Sequence, residues 1–351
     1  MDALIGYDIL AWLNLALRWA HVLVGICWIG ASFYFVWLDN HLVEPDPPQD
    51  GVKGELWAVH GGGFYQSRKF LLKPPKMPEH LHWFMWEAYS TWISGFLLLV
   101  VVYYFGASIY LIDKTKLALD PWQAIGLSLA FIFGGLAVYE GLCRSPLAKR
   151  PGLFGLVWFL VLVAAAWAQT RLFSDRAAFL QVGAMIGTVM VANVKLVIIP
   201  NQRKSVAAVL AGETPDPRWG AQGRLRSVQN NYMTLPVIFL MISNHYPVVT
   251  GHPLNWLLVA LLSAAGLWHM TQWVCTMACA CSKLAVATSG NCGRSLVAMK
   301  LTPRNSMAPM NRNSCRTTPL CRRMKKWRTE TPAADSRATS SQFKGWPVTT
   351  G

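Results

Sequence analysis

The chain has 351 residues, of which 53% are hydrophobic and only 14% charged, with 17 tryptophans. A soluble domain carries about a quarter charged residues, so this composition excludes an ordinary water-borne globule and predicts an all-α, polytopic transmembrane helix bundle. The net charge of +15 implies no nucleic-acid partner, because from Lys283 onward 13 Lys and Arg stand against only Glu330 and Asp335, and the part before is close to neutral.

The first apolar run, 9–38, exceeds the roughly 20 residues a bilayer requires. It has no basic leader and no Ala-x-Ala site, so it is expected to be a span and not a cleaved signal. Arg18 and His21 lie inside it, three positions apart and therefore on one helix face, continued by Gly25, Trp28 and Ser32. An ionisable pair within a span is by default a site. The plainer alternative is a His21 that hydrogen-bonds a neighbouring helix and an Arg18 that snorkels outward.

A polar connection, 39–81, follows. Its breakers (Pro45, Pro47, Pro48, Gly61 to Gly63, Pro74, Pro75) predict a loop, and Trp57, Phe64, Tyr65 and Phe70 predict that it packs on the membrane part. Further spans are expected at 83–112, 122–142, 152–169, 177–199 (closed by Pro200), 232–249 (interrupted by Pro236 and Pro247) and 254–275. Seven spans then place thirteen Lys and Arg in the connections on one side, against Lys114, Lys116, Arg171 and Arg176 on the other. By the positive-inside rule the N-terminus is outside. Residues 1–278 form the membrane domain. Residues 279–351 show neither helical nor strand period and read as an unstructured basic tail. Its cysteines lack Cys-x-x-Cys spacing and a following histidine, which argues against zinc; the tail is also what a shifted reading frame would produce.

Several stretches together resemble the bacterial membrane-bound urate oxidases: Arg18-Trp-Ala-His21 to Gly30, Val59-His-Gly-Gly-Gly-Phe-Tyr65, Leu81-His-Trp-Phe-Met-Trp-Glu-Ala-Tyr89, Gly141-Leu-Cys-Arg-Ser-Pro-Leu147, Ile198-Ile-Pro-Asn-Gln-Arg-Lys204 and Asn230-Asn-Tyr-Met-Thr-Leu-Pro236 through Met241-Ile-Ser-Asn-His-Tyr-Pro247. The resemblance covers roughly residues 5–273. It implies a multi-pass protein of the bacterial cytoplasmic membrane that oxidises urate to 5-hydroxyisourate in purine catabolism and passes electrons to a cytochrome c. Such proteins resemble a fusion with a c-type cytochrome domain. Here no Cys-x-x-Cys-His exists to hold a covalent haem, so a separate cytochrome c is the expected acceptor. Gln229 stands where the family pattern usually carries His.

Oxidising urate requires a redox cofactor, because side chains are poor two-electron acceptors. In a helix bundle the natural one is haem b on histidines of facing helices. His21 with His245 is the preferred pair, with His269 as an alternative partner for His21. Arg144, Asn230 and Asn231 are candidates to bind the urate anion, since a guanidinium suits its planar edge. His60, His82 and Glu87 are candidates for general base. Two other classes remain open: a permease for a small anion, and a b-haem electron-transfer subunit without substrate chemistry.

Overall fold

The computed structural model describes residues 2–265 except residue 72, with side chains from residue 9 on. His269, the far part of the span expected at 254–275, and the tail 279–351 lie outside the described residues. Helix α1 (Asp2–His41) leads to a hairpin of β1 (Val52–His60) and β2 (Gly63–Phe70). Helix α2 (Trp86–Leu98) continues through π-helical turns Leu99–Tyr104 and Ala107–Leu111. Then come α3 (Pro121–Arg144), a 3₁₀ turn, α4 (Pro151–Leu172), α5 (Asp175–Ala192), a π-helical segment Asn193–Ile198, α6 (Ile199–Leu210), α7 (Pro217–Ser243) and the short α8 (Pro247–Thr250). Helix 255–265 follows.

Among the described residues five helical stretches are long and apolar enough to cross a bilayer: Ile9–His41, Trp86–Tyr104, Pro121–Arg144, Pro151–Leu172 and Asp175–Leu210. Helix α7, where a sixth span was expected, is 27 residues long; its first half is too polar to join that set. The chain runs up and down, so the bundle has two ends. One, the entry end, gathers the start of α1, the α2–α3 and α4–α5 connections and the end of α7. The other, the hairpin end, gathers the β-hairpin, the α3–α4 connection, α6 and the start of α7.

Local sequence explains most boundaries. Pro121 opens α3, and the Gln123 side chain accepts from the Asp120 amide at 3.0 Å, closing a capping box. Ser174 caps α5 through Ala177. Helix α5 is the central element, and its Val182, Met185, Ile186 and Val189 are buried with Tyr139 and Trp158 of its neighbours. Gly135 of α3 has no side chain because Met185 fills the place a Cβ would take. By contrast, α1 lies on the flank, with Trp12, Trp19, Val22 and Ile26 exposed.

Three expectations are corrected. The fold is mostly helical, not all-α: the connection 39–81 holds an antiparallel hairpin, with His60 paired to Gly63. Its turn uses Gly61 and Gly62 at φ 56° and 81°, the left-handed values that a two-residue hairpin turn requires and glycine supplies. Its aromatics do not pack on the bundle as expected: Trp57, Phe64 and Tyr65 are exposed. The hairpin is held at its base, by the Val43–Glu55 bridge and the Lys69–Asp39 ion pair. Finally, Pro200 and Pro236 do not end helices. The wide π turns Asn193–Ile198 give the Pro200 ring room, and the helix runs on as α6.

Candidate functional site

His21 sits in the seam between α1 and α2. Its Nδ1 lies 3.0 Å from the Thr91 carbonyl and 3.1 Å from Ser94 Oγ. The Thr91 carbonyl can only accept, and the Ser94 hydroxyl donates to the Ser90 carbonyl at 2.7 Å, so both neighbours act as acceptors and Nδ1 carries the proton of a neutral ring. That leaves Nε2 unprotonated, and among the described residues no hydrogen bond involves it. The seam is close because of Gly95: a Cβ there would lie 2.8 Å from His21 Cε1. Gly25, the glycine one turn along α1, is met by Thr91, whose Cγ2 would lie 4.0 Å from a Cβ there.

Arg18 does not share this seam. It is exposed, and its Nε donates to Asn14 Oδ1 at 2.7 Å. His245 lies just past α7 and is exposed. Arg176 donates to the Asn244 carbonyl at 3.1 Å, the peptide group that joins Asn244 to His245. This bond ties the start of α5 to the end of α7 at the entry end.

Of the three candidate bases, two meet. His82 Nε2 is 3.6 Å from Glu87 Oε1, and Glu87 Oε2 is buried with no hydrogen-bond partner. His60 is apart from them, at the hairpin turn. Thr91 Oγ1 donates to the Glu87 carbonyl at 2.6 Å, so the acid and the residue that holds His21 are one turn apart on α2. Beside this pair, Met77, Glu79, His80, Trp83 and Leu210 line an open cavity of about 520 Å³.

Arg144, the last residue of α3, is exposed. Asn231 is half-buried. Asn230 is buried, with both ends of its amide occupied: Oδ1 accepts from Asn193 at 2.8 Å and Nδ2 donates to the Met190 carbonyl at 3.0 Å. It belongs to a network that sequence reasoning missed. Arg226 Nη2 donates to Glu140 Oε2 at 3.0 Å, and its Nη1 lies 3.0 Å from Oε1 as an ion-pair contact without hydrogen-bond geometry. It also donates to Asn193 Oδ1 at 2.9 Å and to Cys143 Sγ at 2.8 Å. Tyr139 receives a bond from Asn193 and donates to Gln229 Oε1 at 2.7 Å. This closed set ties α3 and α7 to the π segment after α5. Glu140, an acid inside an expected span, was the available signal; Arg226 had been read as a connection charge.

A histidine whose Nδ1–H is fixed by a carbonyl and whose Nε2 is free has the tautomer and orientation of a metal ligand. His21 therefore presents the nitrogen donor that a haem iron would take. His245, exposed and without a hydrogen bond to its ring, is open to the same role. Among the described residues no cluster of three or more His, Cys, Asp or Glu could hold a metal ion.

No curated protein and no solved structure matches the chain. A match to the family described as urate oxidase N-terminal runs over residues 7–301, into the segment 279–351 that was expected to be an unstructured tail. On a match of that length the chain belongs to the urate oxidase N-terminal family, and this membership supports a urate-related oxidase role.

Proposed function

We propose that the protein is a multi-pass membrane oxidoreductase of the bacterial cytoplasmic membrane, with its N-terminus outside, that oxidises urate to 5-hydroxyisourate. The balance is urate monoanion plus water giving 5-hydroxyisourate, one proton and two electrons, the electrons leaving one at a time to a separate cytochrome c. His21 and His245 would hold a b-type haem. When bound, that group supplies the one-electron redox chemistry that side chains lack.

The remaining roles fall to the chain's own residues. The His82–Glu87 pair takes the proton from the attacking water; the Glu87 carboxylate, whose Oε1 faces the His82 ring, steadies the imidazolium that results. Arg144 and Asn231, with no hydrogen bonds to the described residues, are free to meet the planar anion at the hairpin end. Asn230 acts one layer behind, holding the π segment against α7. Thr91 links the two parts, because its carbonyl holds His21 and its hydroxyl bonds the carbonyl of Glu87.

The observation that carries this reading is the fixed Nδ1 and free Nε2 of His21 in a chain of this family. The test is a reduced-minus-oxidised absorption spectrum of the purified protein, with anaerobic urate as one of the reductants. A b-type band that urate bleaches into the reduced form, lost in His21→Ala, is expected. A colourless preparation, silent to dithionite, would rule the reading out. Urate uptake into vesicles without 5-hydroxyisourate would replace it with a permease.

A further inference from the structure

Residues 77–83 lead without regular structure to α2. Together with Leu210, the last residue of α6, they border the open cavity of about 520 Å³. That volume lies in the range of small-molecule pockets, ~300–1,000 Å³. The lining divides by chemistry. Met77, Leu81 and Leu210 form an apolar wall. Trp83 is half-buried and packs on the cluster of Ala88, Val191, Val194 and Ile199, which restrains its indole while it lines the cavity. Glu79 and His80 are exposed there, and among the described residues neither side chain has a hydrogen-bond or ion-pair partner. His82 differs: it faces Glu87 at 3.6 Å and meets the Phe84 ring edge-on at 4.4 Å. Leu81 and Trp83 flank His82 in the chain and both line the cavity. The His82 Cα is therefore one peptide step, ~3.8 Å, from each of their Cα atoms.

Few occupants suit all of this lining. A lipid chain would match the apolar wall, but it would strip water from a carboxylate and an imidazole and give them nothing in return. A phosphate would be repelled by Glu79, which when ionised only accepts hydrogen bonds. A flat ring with N–H groups on one edge and oxygens on another meets each part. Its face stacks on the indole, its N–H groups donate to the carboxylate, and its oxygens accept from the imidazole. The charge of a urate monoanion is spread over such a ring, and its remaining N–H groups keep one edge a donor.

We infer that this cavity is the substrate pocket, in which a planar bicyclic lactam lies against Trp83, gives its ring N–H groups to Glu79 and takes a hydrogen bond from His80 on a ring oxygen. The inference rests on the urate reading above and adds the residues that select the ring; it needs no bound cofactor. It also places the ring beside the His82–Glu87 pair, one residue along the chain from two of the lining side chains. Glu79 sets the selectivity. A ring nitrogen that carries a methyl group in place of hydrogen leaves its carboxylate unpaired, and a site built to bond an N–H rejects the analogue that lacks it.

The test measures equilibrium binding of radiolabelled urate to the purified full chain, and its oxidation with ferricyanide as electron acceptor. Glu79→Ala and His80→Ala should each weaken binding about tenfold, the equivalent of one hydrogen bond to a charged group. Trp83→Leu should weaken it about tenfold to a hundredfold, as for the loss of one stacked base, and Trp83→Phe should keep most of the affinity. In turnover these losses should fall on KM and not on kcat. Wild-type protein should reject at least one of the four mono-N-methylated urates about tenfold relative to urate, and Glu79→Ala should bind that one and urate alike. Matched circular dichroism and elution profiles keep misfolding from mimicking the result. Wild-type protein that neither binds nor oxidises urate removes the urate reading and the pocket with it. Urate bound with equal affinity by wild type and all variants removes the pocket alone. The pocket also falls if the variants instead lose co-purifying phospholipid at unchanged urate affinity.

Discussion

Arg226 and Arg18 are both arginines on long helices of one bundle, and their surroundings are opposite. Arg226, at the hairpin end, is buried with an ion-paired carboxylate, an amide oxygen and a thiol around it, and stacks 5.3 Å over the Tyr139 ring. Arg18, at the entry end, has one amide oxygen from its own helix. A cation whose donors are met by its own chain holds helices together. One whose donors are left over is where a ligand's charge can enter. The same contrast separates Asn230, fully engaged, from Asn231 beside it, and His21, with one nitrogen fixed and one free, lies between the extremes.

The sharpest way to break the comparison is to remove one partner of the closed pair. Glu140→Gln leaves the Arg226 charge buried without its counter-ion, and Arg226→Met does the reverse. Each should destabilise the protein by about 3–5 kcal/mol, the range for breaking a buried pair. The double replacement Arg226→Met with Glu140→Met should cost much less, since no charge is then stranded. Thermal unfolding in detergent gives both numbers. Equal losses for single and double variants would make the network a site, not a brace.

Gly95→Ala probes the half-engaged residue. The new methyl would meet His21 Cε1 at 2.8 Å, with Nδ1 at 3.3 Å. The ring must turn away and lose its bond to Thr91, at about 1–3 kcal/mol for overpacking a close seam. If His21 is an axial ligand, the absorption band of the protein should broaden or shift as well. A stability loss with an unchanged spectrum would leave His21 only as helix glue.

How much of this could be read from sequence depended on how far apart the partners lie. Apolar runs gave most helices, because a span needs only its own residues to be recognised. His21 stood out for the same reason, as an imidazole inside such a run. The hairpin turn was also legible, since Gly61-Gly62 lies between two alternating strands, but the density of breakers in the whole connection masked it. The Arg226–Glu140 pair was not legible. Its members are 86 positions apart, and no local period relates them. Likewise Pro200 and Pro236 signal breaks by local rules, and only the surrounding π turns and packed neighbours let the helices continue.

Gln169 and Gln181 sharpen the comparison from the apolar side. Both are fully buried, one on α4 and one on α5, and among the described residues neither amide has a partner on its oxygen or its nitrogen. An unmet buried amide costs about 1–3 kcal/mol. Gln181→Leu, close to it in volume, should therefore raise stability by about 1 kcal/mol, measured as a higher unfolding temperature. A loss instead would mean that the amide is hydrogen-bonded by internal water, and that this part of the core belongs with the closed network.

The smallest effect belongs to the paired charges beside the open arginines. Asp113, in the α2–α3 connection, accepts from the Thr115 hydroxyl at 2.6 Å and the Thr115 amide at 3.0 Å. The Thr115 hydroxyl bond is the main reason its carboxyl is held below the usual range, and Lys116 adds to it. A carboxylate whose folded value is depressed contributes stability above its unfolded value, about pH 4, and loses that contribution as pH falls through the folded value. Thr115→Ala should therefore cost about 0.5 kcal/mol near neutrality, the low end for a hydrogen bond. The gap to wild type should be flat between about pH 6 and 8 and should close as the pH drops below about 4. A guanidinium does not lose its proton in proteins, so variants of Arg18 and Arg176 should show no such closing. A gap for Arg176→Gln that narrows together with that of Thr115→Ala would mean that Arg176 leans on the Asp113–Lys116–Asp175 chain and is not an open cation after all.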